Sequence, residues 1–189
     1  MSTMPNGSAV GSDRLAVTLP RLAEKKRLGE PIVMITAYDF PSALIAEEAG
    51  VDVVLVGDSA GDVVLGYGST VPVKLEEMLM LAAAVRRGLR SPLLVGDLPF
   101  GSYEGSDEKA VDSAQRFVKE AGVDAVKLEG GGPAQVSRVA AIVAAGIAVM
   151  GHVGLTPQSA TALGGRRAQG RTAERALAVA REARALEAA

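Results

Sequence analysis

"DVVLVGDSAGDVVLGYGST", residues 52–70, decides how the rest of the chain is read. Val53, Val54, Leu55 and Val56 make a continuous apolar run, as expected of a strand covered on both faces. The run ends at Gly57, delivers Asp58 and Ser59, and passes into a glycine-rich loop. A single aspartate in such a place is usually a turn former or a helix cap. Its meaning depends on whether other strands of the chain end in the same way.

Outward from this stretch, strands and helices alternate. Upstream, "LPRLAEKKRLGE" reads as a short amphipathic helix closed by Gly29 and Pro31, and "IVMITA" (32–37) as a buried strand. "PSALIAEEAG" is a helix with Pro41 in its first turn and Gly50 as its stop. Downstream, Leu75, Met78, Leu79, Ala82 and Val85 fall on one face of a helix that Gly88 ends. "PLLVGD" (92–97) is the third strand. A helix capped by Ser106 follows, with Val111, Ala114, Val118 and Ala121 at helical spacing. "DAVKLEG" (124–130) and "IAVMGHVG" (147–154) are strands four and five, separated by the helix "AQVSRVAAIVAAG". "TAERALAVAREARALEAA" is a last helix. Such alternation implies a parallel sheet covered by helices. An open doubly wound sheet and a (β/α)8 barrel both satisfy the pattern, and both bind ligands at the carboxyl ends of their strands.

Composition narrows the function. The 189 residues are 48% hydrophobic and 22% charged with a net charge of −2, so nothing points to nucleic acid or an anionic membrane as partner. There is no cysteine, which excludes disulfides, thiolate chemistry and Cys-ligated metals. No signal pattern and no apolar run of ~18 residues is present, so a cytoplasmic protein is expected. Residues 1–12 read as a disordered tail, and 13–189 as one domain.

The strand ends answer the opening question. Strand two ends in Asp58 and Ser59, strand three in Asp97, strand four in Lys127 and Glu129, and strand five in His152. If consecutive strands are neighbours, these groups meet at one mouth. Each has a plain structural alternative. Asp58 and Asp97 alone would be loop caps, Lys127 and Glu129 an ion pair, His152 a structural histidine. The repetition over four strands favours a functional site. Three carboxylates there need a cation, and oxygen-only ligands suit Mg²⁺. The lysine suggests an anionic substrate. The glycines 130–132 read as a turn or an anion-facing backbone, and the arginines of "GGRRAQGRT" as solvated. No nucleotide-binding glycine motif occurs.

Several longer stretches resemble one family, ketopantoate hydroxymethyltransferase: "MITAYDFPSALIAEEAGVDVVLVGDSAG", "VVLGYGSTVPV", "AVRRG", "DLPFGSY", "EAGVDAVKLEGG" and "VMGHVGLTPQS". They fall within about residues 32–175. The resemblance implies a TIM (β/α)8 barrel, of which this chain has about the first five βα units. It implies Mg²⁺ held by Asp58, Asp97 and Glu129, substrate contacts from Asp58, Ser59, Asp97 and Lys127, and His152 as an auxiliary group. The implied reaction passes a hydroxymethyl group from 5,10-methylenetetrahydrofolate to 3-methyl-2-oxobutanoate through a Mg-stabilised enolate, giving 2-dehydropantoate for pantothenate and coenzyme A. A homo-oligomer acting on the 2-oxo acid and folate is implied too. The proton-abstracting glutamate is expected on the next strand, beyond Ala189, so these residues alone are expected not to turn over. Asp62 departs from the family pattern, which has an apolar residue there. Two other classes fit the strand-end chemistry: a metal-dependent 2-oxo acid barrel of the phosphoenolpyruvate mutase or isocitrate lyase type, and a noncatalytic binding module.

Overall fold

A computed structural model describes residues 14–161, 164–165 and 167–189. The tail expected over 1–12 lies outside the described residues. Five strands, β1 (Met34–Thr36), β2 (Val53–Val56), β3 (Leu93–Asp97), β4 (Ala125–Glu129) and β5 (Ala148–His152), form one sheet in sequence order, every pair parallel. The helices between them are α2 (Phe40–Ala49), α3 (Ala60–Val63), α4 (Leu75–Gly88), α5 (Asp107–Arg116) and α6 (Pro133–Ala144); α1 (Leu19–Leu28) precedes the sheet and α7 (Ala173–Glu187) follows it. No described helix is long and apolar enough to cross a membrane.

Period-two alternation splits the strand residues into two buried layers. Val54, Val56, Leu94, Val126 and Leu128 face the helices and join Met78, Ala82, Val85, Phe117 and Ile142 in the main core. Val53, Leu55, Leu93, Val95 and Ala125 form a smaller cluster on the other face, where Val17 and Leu22 pack against it. The first helix is therefore a plug beneath the second face. Lys25 anchors it, donating to both oxygens of Asp52 at 2.8 and 2.7 Å, and Asp52 also accepts from the Val33 N–H at 2.8 Å.

Local signals explain the element ends. Asp39 caps α2 by accepting from the Ser42 N–H at 2.7 Å, and Gly50 closes it in the left-handed conformation. Ser106 caps α5 as expected.

Four readings need correction. "IVMITA" forms only a three-residue strand, and Met34 and Ile35 are about half exposed (48% and 50%), because β1 has a neighbour on one edge alone. Gly88 does not stop α4; it is the helix's last residue and buried, where a Cβ would stand 2.7 Å from Ala43 Cβ of α2. It is small because two helices touch there. Val118 is 37% exposed, since α5 widens into a π-helical turn over Phe117–Ala121 that rotates Phe117 into the core instead. The loop after Ser59 begins with the single helical turn α3.

Candidate active site

Register turns sequence spacing into ion pairs. In the β3–β4 ladder Asp97 stands opposite Lys127, and in the β4–β5 ladder Glu129 stands opposite His152. Positions 125, 127 and 129 share the face of the smaller apolar cluster, so its layers continue upward into charge at the carboxyl ends of the strands. Lys127 donates to both Asp97 oxygens at 2.7 and 2.6 Å, and its ammonium lies 3.7 Å from Glu129 Oε1. The same Glu129 oxygen meets His152 Nδ1 at 3.1 Å. The Asp58 N–H donates to Asp97 Oδ2 at 3.1 Å. Asp58, Asp97 and Glu129 are all buried, at 3%, 1% and 3% exposure.

Glycines make room for this arrangement. A Cβ on Gly57 would lie 2.9 Å from Ser59 Oγ, and one on Gly96 would lie 2.5 Å from the Phe117 ring. Ser59 Oγ is 2.8 Å from the Tyr38 hydroxyl, which sets its position at the end of β2.

Burial pushes the Asp97 carboxyl up to about 7, against the pull of Lys127 and the Asp58 N–H. Burial also raises Asp58, opposed by Gln158 and Lys127. Glu129 goes the other way. Its burial is more than offset by His152, Lys127 and the Gln158 N–H, which hold it below the ordinary value. Three buried carboxylates thus share one ammonium, and two of them are short of positive charge.

That donor set fits a hard divalent cation, which prefers carboxylate oxygens. As placed here the carboxylates are joined through Lys127 and Gln158 rather than facing one another. Among the described residues no three acidic or imidazole groups stand as a ready-made cage.

All six residues singled out in the sequence lie at the same end of the sheet. Asp58, Asp97, Lys127, Glu129 and His152 are linked in one chain of contacts, and Ser59 follows directly on Asp58. Sequence reasoning missed Tyr38, Tyr103 and Gln158. They lie inside "MITAYDF", "DLPFGSY" and "GHVGLTPQS", but off the strand ends where carboxylates drew attention. Beside Glu129 a cleft of about 270 Å³ opens between Gly130, Gly131, Thr156 and Arg175. At Gly131 a Cβ would stand 2.4 Å from Glu182 Cβ, so the crossing of α7 there calls for a glycine. Arg167 and Arg171 are exposed, and Arg166 lies outside the described residues.

Comparison with known proteins bears on this geometry. The family model described as ketopantoate hydroxymethyltransferase matches residues 16–189. The chain is 52% identical over 192 residues to 3-methyl-2-oxobutanoate hydroxymethyltransferase 1, mitochondrial, of Arabidopsis thaliana, covering 99% of this chain and 55% of that protein. It is 56% identical over 175 residues to 3-methyl-2-oxobutanoate hydroxymethyltransferase of Moorella thermoacetica, covering 93% and 65%. The chain therefore spans about half to two thirds of the length of these curated relatives. Among solved structures it resembles phosphonopyruvate hydrolase in complex with oxalate and Mg²⁺, with TM-score 0.65, 16% identity and coverage of 88% and 58%. It also resembles 2,3-dimethylmalate lyase, a member of the PEP mutase/isocitrate lyase superfamily, with TM-score 0.61, 19% identity and coverage of 88% and 59%. At those identities the likeness concerns the fold, an α/β architecture with a parallel sheet. With the family match running over 16–189 and relatives sharing more than half of its residues, the chain belongs to the ketopantoate hydroxymethyltransferase family.

Proposed function

We propose that this chain carries the metal- and oxo-acid-binding part of an enzyme that transfers a hydroxymethyl group from 5,10-methylenetetrahydrofolate to 3-methyl-2-oxobutanoate, giving 2-dehydropantoate for pantothenate synthesis. The observation that carries the reading is the buried chain Asp58–Asp97–Lys127–Glu129, reaching the half-buried His152, at the strand ends of a family member. In this reading the five strands are the first part of a (β/α)8 barrel, and the enzyme is a cytoplasmic homo-oligomer acting on small molecules.

Asp58, Asp97 and Glu129 would hold Mg²⁺, which when bound supplies Lewis-acid stabilisation of negative charge on the substrate's oxygens. The chain's own residues do the rest. Lys127 sits among these carboxylates and offsets the charge of the bound oxo acid's carboxylate. Ser59, fixed by Tyr38, offers a hydroxyl at the mouth of β2. His152, held through Nδ1 by Glu129, has Nε2 to offer substrate. The base that takes the C3 proton is a glutamate in the part of the relatives' length that this chain does not span. The folate binds beside the oxo acid, so that its one-carbon unit reaches C3.

The test is a transfer assay on the protein extended to the relatives' length, with 3-methyl-2-oxobutanoate, 5,10-methylenetetrahydrofolate and MgCl₂. Formation of 2-dehydropantoate that is lost on chelation and in Asp97→Asn is the expected result. No transfer with a cooperatively folded protein would overturn the reading.

A further inference from the structure

Gln158 is neutral and buried, and its side-chain amide and backbone N–H are bonded to four residues, Asp58, Leu98, Tyr103 and Glu129. It lies in the single 3₁₀ turn Pro157–Ser159 that follows β5. Its side-chain Nε2 donates to Asp58 Oδ2 at 2.8 Å and to the Leu98 carbonyl at 2.9 Å. Its Oε1 accepts from the Tyr103 hydroxyl at 2.6 Å. Its backbone N–H donates to Glu129 Oε2 at 3.0 Å. The amide has one possible orientation, because turning it over would set its oxygen against a carboxylate and a carbonyl, both acceptors. Tyr103 is tied in turn to the Glu129 backbone, whose N–H donates to the hydroxyl at 3.2 Å.

We propose that Gln158 is a positioning residue that locks the Asp58 and Glu129 carboxylates to each other, with Tyr103 fixing the amide from behind. The inference rests on the proposed metal site and deepens it. The two carboxylates come from strands that are not neighbours in the sheet, β2 and β4, so no ladder sets their separation. A loop residue that donates to both does. It adds no charge and takes no ligand position, yet it removes the freedom of two acids to turn away from a cation. Partners of this kind typically change metal affinity ten- to a hundredfold when removed.

The experiment uses MgCl₂ as the probe, titrated calorimetrically into the purified protein and into two variants, each at a temperature well below its melting midpoint. Gln158→Met keeps the length and apolar volume and removes all side-chain hydrogen bonds; it is expected to bind Mg²⁺ about ten- to a hundredfold more weakly. Tyr103→Phe deletes one hydroxyl and is expected to weaken Mg²⁺ in the same direction by less. A Gln158→Met protein that melts lower but binds Mg²⁺ as the parent does would make the residue structural only and overturn the inference. If Gln158→Met does not fold, unchanged affinity in Tyr103→Phe overturns it equally. A parent protein that binds no Mg²⁺ overturns the metal reading itself, and that is seen before either variant is compared.

Discussion

Among the described residues Lys127 is the only ammonium between Asp97 and Glu129, and its removal strands Asp97 while leaving Glu129 to His152 and the Gln158 N–H. Breaking a buried pair by deleting one partner costs about 3–5 kcal/mol, far more than an exposed pair is worth. Lys127→Ala is therefore expected to lower stability by about 3 kcal/mol in urea titration, and Asp97→Leu with Lys127→Met together to lower it less than that single change. A single variant as stable as the parent would show that Asp97 does not depend on it. The same substitution should weaken 3-methyl-2-oxobutanoate about ten- to a hundredfold, the usual loss for a charge-assisted contact. Unchanged oxo-acid affinity would leave Lys127 a purely structural partner. The charged residues were legible in sequence because they recur at the ends of four successive apolar runs, a repetition that the separate structural reading of each does not explain. Gln158 was not, since an amide carries no such pattern and its partner Asp58 is 100 residues away. Tyr103 hid for the same reason.

The elements test two further balances. Replacing Gly88 by alanine improves helix propensity by up to ~1 kcal/mol. It also places a Cβ 2.7 Å from Ala43 Cβ and 3.0 Å from the Phe40 carbonyl, and overpacking of that kind costs about 1–3 kcal/mol. Steric cost wins, and Gly88→Ala should lower the melting midpoint; a stabilised variant would mean that α2 yields freely. Asp52 sets the acid limit of α1. Burial would raise its carboxyl, but the Lys25 ammonium and the Val33 N–H bring it below the ordinary 3.8. A depressed acid contributes stability above its unfolded value and loses it as pH falls through the folded one. Amides of α1 should therefore lose hydrogen-exchange protection when pH drops below ordinary carboxylate values, earlier than those of α4. Equal loss in both helices would show that α1 is held by Val17 and Leu22 packing instead. Helices and strands were readable from their periods and caps. The π-helical turn at Phe117–Ala121 was not, because the helix simply admits one more residue without a local mark.

At the scale of the molecule, the order of the strands followed from the preference of consecutive strands to lie side by side. Closure of the sheet did not, because an open sheet and a barrel write the same alternation. The edges differ in exposure. On β5, Leu186 of α7 lies against Gly151, whereas Ile32, Val33, Met34 and Ile35 at β1 are 42–52% exposed. An apolar edge strand pairs readily with another chain. The 189-residue chain should self-associate with rising concentration in sedimentation velocity, and Ile35→Lys should reduce it. A monomer at all concentrations would mean that this edge is protected. The Asp97–Lys127 and Glu129–His152 pairs, finally, depend on which side of the pleat each residue occupies, and not on the 30 or 23 residues between partners. Insertions and deletions in the connecting loops and helices leave that side unchanged, whatever their length. A single-residue insertion inside β4 between Ala125 and Lys127 would turn both charges into the helix layer at once. Strand parity thus holds the charged pairs together independently of loop length, which is constrained only where loop residues such as Gln158 and Tyr103 enter the site themselves.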